Sequence, residues 1–422
     1  MKACPDDVLP VLASFERKGF RAYLVGGSVR DLFLGFPPFD FDVTTDAPPE
    51  AIPEVFPEAR RVGPIEAPVF ILPNRTAPVE ITSHCGRSLS ADLSRRDFTV
   101  NAMALDIRGT LHDPQNGSRD CALRVLRFCG EPSERIKEDP VRILRFARFS
   151  AVLPGFSPSP EGFVPCRAAC RELARIASER LTAEIRKGFS GDPVVFLDLL
   201  DETGALGEIF PEVASLRGEE QDPAVHPEGD AFAHTRKCLS VARSLPCDTR
   251  LRLAVLLHDI GKPRSRSVGD GTVRFPGHEE AGALMVEEIL HRLRFPVKEA
   301  REVTALVRRH GILLRDASAE SIAGLFCEYG AEWLDLLFLT AWCDMLGAGG
   351  VREAWIANRR KALGIGIRAL RERDVLPSGA ALGELTGEEA GPAWGRAHRR
   401  LRVCYLADEA PDDAFRPERD KQ

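Results

Sequence analysis

The sequence predicts an α/β head with a short mixed sheet, followed by helical regions through the rest of its 422 residues. Three observations carry that class. An apolar run at Tyr23–Val25 leads into Gly26-Gly27 and then into Ser28–Gly35, which reads as a short helix closed by its own glycine. Two β-prone runs follow, Phe39–Thr45 and PVEITS at 78–83, the first bounded by Pro37-Pro38 and by Asp46–Pro49. Beyond residue 127 the apolar residues fall at helical spacing, as in Ile143, Leu144, Phe146 and Ala147.

Strand, glycine turn and helix N-terminus, in that order, leave free N–H groups aimed at one point, a seat for phosphate oxygens. On the strand Phe39–Thr45, Asp40 and Asp42 share a face, roughly 7 Å apart at their Cβ atoms. Two such carboxylates can hold one Mg²⁺ and share a second about 4 Å away, the arrangement used for in-line phosphoryl displacement. Glu80, the inward acid of PVEITS, is the candidate third carboxylate. Alone, a DxD also suits a solvated face and Glu80 a surface strand position. The phosphate seat upstream favours a metal-bound nucleoside triphosphate. Asp97, in RRDFTVNAMALD at 95–106, could cap a helix with Val100, Met103 and Ala104 on its apolar face. In EDPVRILRFARF at 138–149, Asp139 and Arg142 stand at i, i+3 on one helical face, a spacing that a surface ion pair also explains.

GGSVRDLFLG, DFDVTT and RRDFTVNAMALD together resemble the class II tRNA nucleotidyltransferase and bacterial poly(A) polymerase family, which extends RNA 3′ ends without a nucleic-acid template. The resemblance continues in order through DPQNGSRDCALRVLR at 113–127, EDPVRILRFARFSA at 138–151 and ERLTAEIRKGF at 179–189, the neck-helix motif. It implies a nucleotidyltransferase-type head in which Asp40, Asp42 and Glu80 are catalytic and bind Mg²⁺. It implies nucleotide binding by Gly26, Gly27, Ser28, Arg30, Arg96, Asp97, Asn101 and Arg145, with Arg96 and Asp97 at a ribose hydroxyl. Asp139 and Arg142 would then read the Watson–Crick edge of the incoming base, a carboxylate accepting from an amine and a guanidinium donating to ring nitrogen or carbonyl. The implied reaction is attack of a tRNA 3′-hydroxyl on the α-phosphorus of CTP or ATP, releasing pyrophosphate.

One departure from the family matters. Between VEITS and DLSRRDFT only HCGRSLSA remains, at 84–91, where the family carries a strand, a flexible loop and a return strand. In the family that loop helps the switch from cytidine to adenosine, so its shortness favours CC addition over complete CCA addition. A poly(A) polymerase is the near rival and would be expected to carry a strongly basic C-terminal extension, which the residues near 422 are not basic enough to support; a degenerate transferase is a further alternative.

The second half raises different chemistry. AFAHTRKC, LAVLLHDIGKP, PGHEEAGA, VRRHG and LTAWCDML supply His234, the pair His258-Asp259, His278, His310 and Asp344. Adjacent His and Asp after an apolar run, at a helix end marked by Gly261, rarely arise from packing alone. These segments resemble the HD domain, a metal-dependent phosphohydrolase module. That resemblance implies His234, His258, Asp259 and Asp344 as ligands, with His278 and His310 completing a two-metal site. Imidazole with carboxylate suits a divalent transition metal such as Mn²⁺ or Ni²⁺ better than Mg²⁺. Phosphoester hydrolysis is the implied second activity and, as the main one, the alternative to the transferase.

A net charge of −6 argues against a generally sticky nucleic-acid surface, leaving local patches such as the eight Arg or Lys of 119–148 and RAHRRLR at 396–402. Eleven cysteines without a CxxC pair, no run of eighteen apolar residues and no signal-peptide pattern lead to the expectation of a cytoplasmic enzyme with reduced thiols and no membrane partner. Oligomeric state stays open. The expected organisation is a head at 1–127, a helical neck and body at 128–220 interrupted by LPGFSPSPEGF at 153–163, an HD domain at 225–350 and a helical C-terminal region at 351–422 with a frayed tail. The segment RGEEQDPAVHPEGD at 217–230 reads as a linker into the HD domain.

Overall fold

The structure is a computed structural model that describes residues 4–65, 68–73, 77–246, 248–269, 272–375, 402–403 and 405–407. It divides into two compact units, Met1–Gly191 with Asp198–Ile209, and Asp192–Leu197 with Phe210–Gln422.

In the first unit, α1 (Leu9–Arg17) and α2 (Gly27–Leu34) accompany a seven-stranded sheet. Its strands are β1 (Ala22–Val25), β2 (Phe41–Thr45), β3 (Arg60–Val62), β4 (Val69–Leu72), β5 (Val79–Ser83), β6 (Ala104–Leu105) and β7 (Leu111–His112), in the spatial order β3-β4-β5-β2-β1-β6-β7. The sheet is mixed because β2 and β5 run parallel while the other neighbours are antiparallel. Leu24, Val25, Val43 and Ile81 are buried on the three central strands, which fixes the register by hydrophobic burial. That register pairs Val25 with Asp42 and Asp42 with Glu80, lining up the glycine turn and two acids across the sheet.

The strand β2 begins at Phe41, so Asp40 stands just before it. After β5 the chain turns directly into α3 (Leu89–Ser94), capped by Ser88, whose Oγ accepts the Ala91 amide at 3.2 Å. His84 is buried in that turn, its Nδ1 3.0 Å from Thr44 Oγ1. Then follow α4 (Gly117–Leu123), β8 (Val125–Leu126), α5 (Pro132–Glu138), α6 (Arg142–Val152), β9 (Ser157–Pro158) and α7 (Ser178–Phe189). Phe98, Phe128 and Phe146 form an aromatic core with ring centroids 4.9 to 6.1 Å apart.

Several local expectations change here. Asp97 caps no helix: Thr99–Asn101 is a single 3₁₀ turn preceded by Phe98, and Ala104 belongs to β6. Asp139 and Arg142 do not share a helical face, because α5 ends before Asp139 (φ −153°) and α6 begins at Arg142. Pro140 explains the break: it pushes the residue before it out of the helical region. LPGFSPSPEGF is more than an interruption, since its Ser157–Pro158 pairs in parallel with β8.

The second unit is helical, with α8 (Ala231–Ala242), α9 (Thr249–Leu257), α10 (His278–Arg292), α11 (Val297–Arg309), α12 (Ala331–Gly347) and α13 (Glu353–Val375). A hairpin, β10 (Ser267–Gly269) with β11 (Thr272–Arg274), stands between α9 and α10. Helix α9 is its centre, buried at every position from Leu251 to Leu257, so its C-terminal end delivers His258 and Asp259 into the interior. Gly261 makes this possible, since a Cβ there would lie 2.1 Å from the His278 carbonyl oxygen.

Residues 217–230 are not a loose linker. Asp230 holds the segment in a closed loop, one carboxylate oxygen capping α8 at Ala233 (2.8 Å) and the other accepting the Gly218 amide (2.7 Å). Among the described residues no helix is long and apolar enough to cross a membrane. Residues 376–401 and 408–422, which hold most of the expected tail and of the basic run 396–402, lie outside the described residues.

Candidate functional site

In the head, Gly26 (φ +77°) sits where a Cβ would be 2.9 Å from both Asp42 Oδ2 and Arg96 Nη1. Both the backbone conformation and this close approach therefore require glycine. Gly27 opens α2. Buried Ser28 ties the turn to β2, its Oγ donating to the Val25 carbonyl (3.3 Å) and accepting the Asp42 amide (3.4 Å). Burial pushes the Asp42 carboxyl up to about 6; Arg96 opposes the shift, and Asp40 and Glu80 add to it. Asp42, buried and crowded by Asp40 and Glu80, belongs to a carboxylate set that a hard divalent cation relieves, so these residues fit such an ion.

Four of the other expected nucleotide-binding residues form one buried network. Arg30 donates to Asn101 Oδ1 (2.7 Å), Asn101 Nδ2 donates to Asp97 Oδ1 (3.0 Å), and Asp97 Oδ2 pairs with Arg145 (2.6 Å). Burial works against the Asp97 carboxylate, but Arg145, Asn101 and the Phe98 amide hold it below its usual range. Asp139 and Arg142 meet only through the backbone, the Arg142 amide donating to the Asp139 carbonyl at 3.0 Å, and their side chains take separate partners. Asp139 pairs with Arg180 of α7 at 2.7 Å, and Arg142 donates to the Arg135 and Arg95 carbonyls, each at 2.8 Å, and to Glu138.

Arg180 and the pair Arg148–Glu184 escaped the sequence analysis. Arg148 and Glu184 meet at 2.6 Å with side chains only 13% and 12% exposed, and Arg148 lies 4.0 Å over the Phe149 ring. The available signal was Glu184 lying one position before Ile185 and three after Leu181 on the apolar face of the neck helix.

In the second unit the six expected residues come together from five helices or their ends. His258, His278 and His310 each donate Nδ1–H to the carbonyl three residues back, Val255 (2.8 Å), Phe275 (2.9 Å) and Val307 (2.7 Å). A carbonyl only accepts, so the proton is on Nδ1 and each Nε2 offers a lone pair when the ring is neutral. Those Nε2 atoms converge: His278 and His310 are 3.4 Å apart, and His258 Nε2 is buried with no hydrogen-bond partner among the described residues, 3.1 Å from Asp259 Oδ2. His234 Nε2 lies 3.0 Å from Asp344 Oδ1. Burial and His258 push His310 down to about 4, keeping its ring neutral. Asp259 and Asp344 are both held well below the usual range; burial opposes this, while the surrounding histidines, and Lys262 at Asp259, outweigh it.

Among the described residues three donor groups result, His234, Cys238, His258 and Asp344 in one, Asp259, His278 and His310 in another, and His226, Glu228 and His234 in the third, each with its donor atoms within 4.8 Å of one another. An orphaned buried imidazole nitrogen facing a carboxylate oxygen is what a bound cation would satisfy, so the residues fit a metal centre.

Four residues of this centre escaped the sequence analysis. Glu228 Oε1 accepts from His234 Nδ1 (2.6 Å) and His226 Nδ1 (2.9 Å). Lys262 Nζ lies 2.6 Å from Asp259 Oδ2, and Cys238 Sγ 3.3 Å from His234 Nε2. Cys238 was findable as the i+4 neighbour of His234 on one helix face. His226 and Glu228 carried no periodic signal, because they stand in the irregular segment before α8.

Family comparisons agree with this two-part layout. The Poly A polymerase head domain matches residues 22–82 and 73–127, the family described as a probable RNA and SrmB- binding site of polymerase A matches 155–216, and the HD domain matches 231–335. The Multifunctional CCA protein of Halorhodospira halophila is 35% identical, across 93% of this chain and 98% of the relative; that of Methylococcus capsulatus is 34% identical, across 92% and 94%. This chain belongs to the multifunctional CCA protein family. As a member it is an enzyme of the nucleotidyltransferase class, with an HD domain in the same chain. Among solved structures, the Bacillus stearothermophilus CCA-adding enzyme in complex with CTP matches with a TM-score of 0.68 at 25% identity, over 96% of this chain and 94% of that one. The Thermotoga maritima CCA-adding enzyme complexed with tRNA_CCA shares the fold, with a TM-score of 0.63 at 19% identity over 96% and 92%.

Proposed function

We propose that this member of the multifunctional CCA protein family extends the 3′ end of tRNA with CTP, and in its fuller form ATP, without a nucleic-acid template. The observation that carries it is the row of acids, Asp42 in register with Glu80 and flanked by Asp40, set against the Gly26 turn. Asp40, Asp42 and Glu80 would hold Mg²⁺, which when bound neutralises developing charge on the phosphates and acidifies the attacking hydroxyl. The free amides at the start of α2 seat phosphate oxygens, and Arg96 adds positive charge beside Asp42. Asp139 and Arg142 read the base edge; for this Asp139 exchanges its bond to Arg180 for one to an exocyclic amine.

The short turn at 84–91 supports CC addition over complete CCA addition. His84 is buried against Thr44 and Ser88 caps α3, so few residues are left to act as a mobile loop.

The imidazole-carboxylate centre of the second unit favours a second activity, phosphoester hydrolysis with a divalent transition metal such as Mn²⁺ or Ni²⁺.

The test incubates the purified protein with Mg²⁺ and a tRNA lacking its 3′ CCA, giving CTP, ATP or both, and sizes the product at single-nucleotide resolution. Growth by two, unchanged by ATP, is expected. Growth by three overturns the short-turn reading, and no growth of the tRNA overturns the transferase in favour of the HD centre.

A further inference from the structure

Among the four histidines of the metal centre, His234 is held differently. His258, His278 and His310 each give Nδ1–H to a backbone carbonyl, whereas His234 Nδ1 lies 2.6 Å from the Glu228 carboxylate. That carboxylate is enclosed, its side chain 1% exposed, with His234 itself at 0%. The same oxygen receives His226 Nδ1 at 2.9 Å, and the His226 ring stands edge-on to His234 at a centroid distance of 4.8 Å. Among the described residues the other oxygen of Glu228 has only Lys237 Nζ, 4.0 Å away.

A ring that ligates a metal through Nε2 carries its remaining proton on Nδ1, and that proton needs an acceptor. A backbone carbonyl supplies one with a partial charge; a carboxylate supplies a full charge, which makes the imidazole a stronger donor to metal and pins its orientation. Glu228 reaches His234 because residues 217–230 close on themselves through Asp230. The same segment touches the centre a second time: Gln221 Oε1 accepts from Lys262 Nζ at 2.5 Å, and Lys262 pairs with Asp259 at 2.6 Å. Gln221 and His226 both line an open cavity of about 540 Å³, so this segment borders that cavity as well as contacting the centre.

We propose that Glu228 is the positioning residue of the HD metal centre, orienting His234 through Nδ1 with His226 as its outer brace, and thereby setting metal affinity. The inference rests on the metal-centre reading of the second unit. Its experiment uses the full chain carrying D40N and D42N, so that the head carboxylates do not compete, and titrates Mn²⁺ alone by calorimetry into the parent and its E228Q, E228A, H226A and H258A variants. Thermal unfolding of each metal-free protein is recorded beside it.

The parent binds and H258A does not, if the centre itself is read correctly; a parent that fails to bind Mn²⁺ overturns both the centre and the role of Glu228. Given binding, E228Q keeps an amide oxygen able to accept from Nδ1 but loses the charge, and its dissociation constant rises about 10-fold. E228A loses the acceptor as well and rises about 100-fold. H226A, which spares the Glu228–His234 bond, falls below E228Q in effect. A merely structural role would lower metal-free unfolding temperatures without this graded order. Parent-like affinity in E228Q, the isosteric change that keeps the test open should E228A not fold, overturns the assignment.

Discussion

Asp42 shows what a single residue contributes. Its carboxyl is raised from 3.8 to about 6, first by burial and then by Asp40 and Glu80, against the pull of Arg96. Because the folded-state value lies above the unfolded one, the stability linked to this group is present below pH 3.8 and lost as pH rises through about 6. The metal-free head is therefore expected to lose about 2–3 kcal/mol through this one group between pH 4 and 7, and D42N to flatten that slope in urea titrations. The same variant abolishes nucleotide addition; an active D42N protein sinks the assignment of the head carboxylates. Arg148 and Glu184 provide the opposite case, an ion pair that is mostly enclosed. Removing one partner leaves the other uncompensated, so E184Q should destabilise the metal-free protein by about 3 kcal/mol in urea unfolding. By contrast the Asp139–Arg180 pair has its arginine 53% exposed, and R180A should cost less than about 1 kcal/mol while changing the ratio of CTP to ATP incorporation.

At the scale of elements, glycines at junctions decide which chains of atoms can meet. Gly26 joins β1 to α2 with Asp42 Oδ2 and Arg96 Nη1 both in the space of its missing Cβ. G26A should cost about 1–3 kcal/mol in stability and remove nucleotide addition, checked by calorimetric unfolding and single-turnover extension. Helix patterns were legible where glycines bound the element, as in α2, whose closing Gly35 is left-handed (φ +86°), the conformation a glycine cap supplies. They failed where a break is local. EDPVRILRFARF looks like one helix by its apolar spacing, yet Pro140 divides it and turns Asp139 toward Arg180. RRDFTVNAMALD failed for a related reason: Asp97 spends its oxygens on Asn101, Arg145 and its neighbour's amide, and the segment becomes a 3₁₀ turn and a strand.

For the whole molecule, two compact units carry two sets of candidate metal donors that differ in kind, oxygen donors in the head and imidazole with carboxylate in the helical unit. Hard and softer donors select different ions. Doubly substituted D40N/D42N protein should lose tRNA extension and keep phosphoester hydrolysis, and H258A with D259N should do the reverse. A variant of either kind that loses both activities while remaining folded by circular dichroism would show the centres to be one functional unit.

By itself the sequence determined the order of the parts. The strand–glycine–helix of the head, the parallel acids of Asp42 and Glu80, and the six residues that cluster in the helical unit were all readable, because each sits in a segment whose apolar spacing or motif declares its element. Tertiary structure alone decided the partners. His226 and Glu228 lie in a proline-containing stretch without periodicity and acquire meaning only when Asp230 closes the loop against α8. Arg180 meets Asp139 across 41 residues, and His234 meets Asp344 across 110. Pairings at such separations depend on how helices pack, a matter of buried volume and register summed over many residues, and no local pattern of amino acids encodes them.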